Sequence, residues 1–187
     1  MALASSDEHL LASFSVVRSL TAAMNQASKN KTEIDPFIVQ AATVWIRSRL
    51  SASSIIEREA KQQYIHISCC LGIQIYLTTV IDQFMDLGLD RLDLISRLRA
   101  SLNGIDVKTT QSPLVLWTIF FGGLAAPNMR DRCWFVGQLR DIARALYIHD
   151  WDSLESTLKR LSWVETRHGN LGRLLWNATI NNDLSAY

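Results

Sequence analysis

The chain has 187 residues, of which 48% are hydrophobic, and its 19 Lys and Arg against 18 Asp and Glu leave a formal net charge of +1. At this length folding buries roughly 70% of the surface of the unfolded chain, so one domain can hold a core without staples. The interspersed charge excludes a bulk field for nucleic acid or anionic lipid, and three cysteines, Cys69, Cys70 and Cys133, exclude an even disulfide framework.

Glycine and proline number only 8 and 3, and apolar residues recur three and four apart almost throughout. The expected fold class is therefore all-α, a single-domain helical bundle over residues 1–187 with about seven or eight helices. Ser5 with Glu8 forms a capping-box pattern that opens a first helix, striped by Leu10, Phe14, Val17, Leu20 and Met24. Asp7 and Glu8, with no basic flank, argue against a secretory signal or a transit peptide, and reduced thiols in an intracellular protein are expected. The polar run 26–35 ends this helix. Asp35 before Pro36 is an N-cap with a first-turn proline, opening a second helix that runs to about Leu50.

Ser51 to Ser54 is the expected turn, and Ser54 with Glu57 repeats the capping-box pattern. In the segment that follows, Ile56, Ala60, Ile67, Leu71, Leu77, Ile81 and Phe84 keep helical spacing. This is the longest helix, or two helices broken near Gly72. Residues 67–81 are apolar on nearly every face, which sends this part into the middle of the bundle. Gly88 can end it, Asp90 can cap the next helix, and Leu92, Ile95, Leu98 and Leu102 line one face of that helix before Asn103-Gly104.

Thr109 to Met129 is free of charge. A membrane span needs about 20 consecutive apolar residues, and the run from Pro113 to Ala126 is shorter than that. It is expected to be a central buried helix, hydrophobic all round because it is covered on every side. Gly122 and Gly123 each lower helix propensity by about 1 kcal/mol relative to alanine. Either they lie inside the helix beside a close neighbour or they end it. Asn128 then caps a helix to about Ile148, Asp150 caps one over 151–168, a last helix covers 170–180, and the tail 181–187 frays.

No catalytic, metal or cofactor residue is assigned. His9, His66, His149 and His168 are too widely spaced for zinc, and Gly122-Gly123 lacks the lysine and hydroxyl of a phosphate loop. Cys133, among Trp134, Phe135 and Val136, is expected to be buried and inert. Asp150 with Asp152 and Glu57 with Glu59 sit at helix starts, where capping explains them. The pairs Arg47/Arg49, Arg97/Arg99, Arg130/Arg132 and Arg140/Arg144 read as polar helix faces. One group stands out: Trp117, Phe120, Phe121, Gly122, Gly123, Arg132, Trp134, Phe135 and Trp163 form either plain core or a pocket for a flat apolar ligand.

The stretches CCLGIQIYLTTVI (69–81), SPLVLWTIFFGGLAA (112–126), RCWFVGQL (132–139), WDSLESTLKRLSWVE (151–165) and LLWNA (174–178) occur in an order that resembles the fungal-specific regulatory domain accompanying binuclear zinc-cluster transcription factors. Pro113, Leu116, Trp117, Gly122, Gly123, Arg132, Trp134, Phe135, Trp151 and Trp163 carry the resemblance, which covers about 64–178. It implies an all-α module of transcription regulation, nuclear, or cytoplasmic if stand-alone, that acts through protein partners or self-association and through a small apolar effector. The six-cysteine basic segment of the zinc cluster is absent from these residues, so no direct nucleic-acid contact is expected of this chain; the lack of a catalytic constellation and the short apolar run lead to no expected enzymatic activity and no membrane contact. The alternatives are a binding protein or enzyme for an apolar metabolite, and a structural dimerisation module built on the helices at 10–24 and 37–50.

Overall fold

Acidic and amide side chains start the helices at the positions the sequence offers. In the computed structural model, which describes residues 6–51, 60–81, 90–126 and 128–181, Asp35 Oδ1 accepts from the Phe37 N–H at 2.9 Å and Asp90 Oδ1 from the Leu92 N–H at 2.9 Å. Asn128 Oδ1 accepts from the Asp131 N–H at 2.9 Å, and Asp150 Oδ1 from the Ser153 N–H at 2.7 Å. Each bond satisfies an amide that has no partner within its own helix.

The described residues form eight helices and no strand: α1 Ser6–Asn30, α2 Pro36–Ser51, α3 Ala60–Ile81, α4 Arg91–Leu102, α5 Pro113–Ala125, α6 Met129–Ala145, α7 Trp151–Leu161 and α8 Glu165–Asn181. The chain is an all-α bundle, as its periodicity requires. The expected features at Ser5, Ser54, Ile56, Glu57, Glu59, Phe84, Gly88 and residues 182–187 lie outside the described residues.

α5 is the axis of the bundle. Val115, Leu116, Trp117, Ile119, Phe120 and Phe121 are all 0% exposed, because α3 and α6 cover most of the helix and α4, α7 and α8 close the rest. Its 13 residues span about 20 Å, well short of a bilayer core of about 30 Å. Among the described residues no helix is long and apolar enough to cross a membrane. α1 and α2 form an antiparallel hairpin on the outside of α3, where Arg49 Nη1 lies 3.4 Å from His9 Nδ1.

Two expectations about helix boundaries are resolved, and one is corrected. α3 continues through Gly72, whose missing side chain admits α5: a Cβ there would lie 2.6 Å from Thr118 Oγ1. Gly122 and Gly123 lie inside α5, again beside close neighbours. Whether the helix through α3 is the longest turns on residues 52–59 and 82–89, which lie outside the described residues. The segment expected to be one helix over 151–168 breaks at 162–164, and α8 starts at Glu165 rather than near Asn170. Hydrogen bonds from α1 and α5, together with one to His168 just after it, hold this break.

Candidate functional site

The expected site residues fall into two groups on opposite sides of α5. Trp117, Phe120, Phe121 and Trp163 meet in a continuous aromatic cluster with Tyr76, Trp151 and His168. Ring centroids are 4.9 Å apart for Trp117 and Phe121, 5.2 Å for Trp117 and Tyr76, 5.9 Å for Phe120 and Trp163, and 6.1 Å for Trp151 and Trp163. The tilted and edge-on arrangements let ring edges face ring faces. Gly172 of α8 closes the cluster, since a Cβ there would come 2.8 Å from Trp163 and 2.9 Å from Phe120.

On the other side, a Cβ on Gly122 would lie 2.8 Å from Phe135 Cζ, and one on Gly123 would lie 3.0 Å from Leu175 Cδ2. The space these glycines leave is thus filled by the chain's own Phe135 and Leu175. Arg132 donates through Nη2 to the Ala126 carbonyl at 3.0 Å and so ties the end of α5 to α6. Trp134 stands apart from the central cluster. It packs edge-on against Phe135 at 5.0 Å and under the Arg99 guanidinium at 5.1 Å, while Arg99 also pairs with Asp131. Among the other arginines noted, Arg97 pairs with Asp93 at 3.3 Å, and Arg140 donates through Nε to the Thr179 carbonyl at 2.9 Å.

The break between α7 and α8 is the polar centre of the molecule. Trp117 Nε1–H donates to the Ser162 carbonyl at 3.0 Å, and Asn25 Nδ2–H donates to the Trp163 carbonyl at 2.7 Å. Asn25 Oδ1 accepts from the Glu165 N–H at 3.3 Å, and His168 Nδ1 accepts from the Val164 N–H at 3.1 Å. Side chains from α5, α1 and α8 therefore satisfy the groups that an unbroken helix would have paired internally. Replacing Asn25 with Ala leaves the Trp163 carbonyl and the Glu165 amide without these partners and is expected to cost about 1–3 kcal/mol. Chemical denaturation measures this, and a loss near zero would mean that water replaces the amide.

His168 is held neutral. Because Nδ1 accepts, Nε2–H donates to Thr79 Oγ1 at 3.1 Å, and the Thr79 hydroxyl donates to the Tyr76 carbonyl at 2.7 Å. Burial, then the charge of Arg167, lowers the imidazole pKa to about 3. Tyr76 Oη lies 2.6 Å from Thr21 Oγ1, whose own hydroxyl donates to the Val17 carbonyl at 2.8 Å, so the phenol is the donor. Burial pushes the pKa of that phenol up. No hydrogen-bonding role for Tyr76, His168, Asn25 or Ser162 follows from the sequence, since no local spacing marks a residue whose partners are remote.

The expectation for Cys133 is corrected. Cys133 is exposed, because α6 turns Phe135, Val136, Leu139 and Ile142 inward and leaves position 133 on the opposite face. Cys69 is the buried thiol; burial, with Cys70 beside it, pushes its pKa up to about 12. Among the described residues no group of three His, Cys, Asp or Glu is placed to hold a metal.

Two surface features remain. An open cleft of about 680 Å3 lies between α1 and the α7–α8 break, lined in part by Arg18, Thr21, Asn25, Lys29, Lys159 and Glu165. Lys159 is engaged within the α7–α8 wall, where it bridges Glu155 at 3.2 Å and Glu165 at 2.9 Å, and Asn25 joins α1 to the break. The second feature is the outer face of α2. Val39, Thr43, Ile46 and Leu50 face inward, while Phe37, Ile38, Val44 and Trp45 are 77%, 57%, 55% and 36% exposed. With exposed Ala41 between them, these side chains form one apolar stripe at helical spacing on the outside of the bundle. No family model, no curated protein and no solved structure matches this chain.

Proposed function

We propose that the protein is a helical regulatory module that works through protein contacts of its α2 face, in the manner of the transcription-regulator domain its sequence resembles. The observation that carries this reading is the exposed stripe of Phe37, Ile38, Val44 and Trp45. Isolated exposed apolar residues are ordinary, but four large ones aligned along one helix are what an interaction surface presents. The interior supports the same reading. The aromatic cluster is filled by its own side chains, and its titratable members are engaged: His168 is neutral with both ring nitrogens paired, and the Tyr76 hydroxyl is bound to Thr21.

Fusion of the whole chain to a heterologous DNA-binding domain tests this reading. The fusion is expected to change reporter output, and Val44→Asp, on an exposed position that leaves the core intact, is expected to reduce that change several-fold. A wild-type fusion with no effect on output would overturn the regulatory reading. An effect that Val44→Asp leaves unaltered would remove α2 as its surface.

A further inference from the structure

We infer that the partner of the α2 face is a second copy of this chain, bound antiparallel about a two-fold axis at Ala41. This rests on the reading of α2 as an interaction surface. The inference comes from the order of side chains along the helix. When two α2 helices run antiparallel and cross at Ala41, Phe37 of one copy lies opposite Trp45 of the other, and Ile38 lies opposite Val44. Each pair then occurs twice, as an isologous interface requires. Ala41, exposed and without a bulky side chain, sits at the crossing point, where helix axes approach to about 8 Å only if the contact residues are small.

Charge decides the direction. α2 itself contains no acidic residue and carries Arg47 and Arg49 near its C-terminal end, whereas Glu33 and Asp35 precede its N-terminal end. An antiparallel pair brings Glu33 and Asp35, in the segment that leads into α2, to the end of the other copy's helix that carries exposed Arg49. A parallel pair would instead bring the basic ends together and the acidic approaches together. The antiparallel pair also brings opposite ends of the two helix dipoles together. Arg49 already covers the Trp45 ring, with its guanidinium carbon 5.2 Å from the centroid. It therefore stands beside the aromatic contact, placed to meet an incoming carboxylate.

Size sets the strength. A single pair of 16-residue helices, each about 24 Å long, lies below the standard interface of about 1,200–2,000 Å2 and forms a reversible dimer. Its dissociation constant is expected between about 1 μM and about 1 mM.

Sedimentation equilibrium of the full chain in reducing buffer, which keeps the exposed Cys133 from linking copies, reads the association. The expected result is a shift from monomer to dimer as concentration rises, weakened at least about 10-fold by Phe37→Asp. Glu33→Arg and Arg49→Glu each weaken the dimer several-fold, and the double variant restores it. Within one copy these two residues stand at opposite ends of α2, so restoration reports the contact between copies. A chain that stays monomeric at about 1 mM, or a dimer indifferent to Phe37→Asp, overturns the inference. So does a double variant weaker than both single ones. A monomer whose reporter activity still depends on Val44 overturns the second copy as partner and leaves the regulatory reading standing, whereas a dimer without reporter activity does the reverse.

Discussion

Trp117→Ala is expected to lower the unfolding free energy by about 4 kcal/mol, and the melting temperature by about 8–16 °C for a chain of this size. Trp117 is completely buried, stacks with Phe14, Tyr76 and Phe121, and donates its indole N–H to the Ser162 carbonyl. Truncation removes the largest side chain in the middle of the bundle and leaves a cavity bounded by rings that cannot collapse together without leaving their own partners. It also orphans a carbonyl in the α7–α8 break. Trp117→Phe separates the two effects, because it keeps an aromatic ring and loses the donor. Its cost should be smaller, with about 1–3 kcal/mol assignable to the unpaired carbonyl. If Trp117→Ala cost less than about 1 kcal/mol, the cluster would not be the packed centre described above.

Acid is expected to unfold the protein through His168. The imidazole pKa is near 3 in the folded protein and near its ordinary 6.5 in the unfolded chain. Between these values the unfolded state binds a proton that the folded state does not, so stability falls as pH falls. The slope is about 1.4 kcal/mol per pH unit; the contribution is zero above pH 6.5 and fully developed below about pH 3. Glu165 and Asp150, whose pKa values lie below the usual carboxylate range, contribute in the same direction only at lower pH, once carboxylates in the unfolded chain take up protons. Lys159 and the Trp163 indole N–H, with burial opposing them, hold Glu165 down, and the Ser153 amide and hydroxyl hold Asp150 down. The window from about pH 6.5 to about 4.5 therefore separates the histidine from these two carboxylates. Denaturant midpoints across that window should decline in the wild type and lose most of that slope in His168→Gln, which keeps an amide donor and acceptor near Thr79 and the Val164 amide. A wild-type profile flat over the window would show that the folded protein accommodates the imidazolium.

The parts of the fold legible in the sequence were those governed by neighbours along the chain. Caps at Asp35, Asp90, Asn128 and Asp150 depend on a side chain reaching an amide two or three residues ahead, and all four form. The burial of residues 115–123 followed from hydrophobicity on all faces in a run too short for a bilayer. The same local reasoning failed at 151–168, where the apolar period continues across residues 162–164 and only Asn25, Trp117 and His168 reveal why the helix stops. It failed also at Cys133, whose apolar neighbours Phe135 and Val136 lie on a different face of α6. The two glycines in α5 could be read either way, because whether Phe135 and Leu175 come close enough to need them is a fact about other helices.

The sequence by itself determined the helical class, the starts of most helices and which segment lies at the centre, since these depend on periodicity, caps and total hydrophobicity. The tertiary structure alone decided that the aromatic residues fill one another's space, that a break between α7 and α8 is held by the distant Asn25 and Trp117 together with nearby His168, and that one face of α2 is exposed. Hydrogen bonds and ring contacts between residues tens of positions apart leave no local trace, and an amphipathic helix carries the same period whether its second apolar stripe meets its own domain, another copy or water.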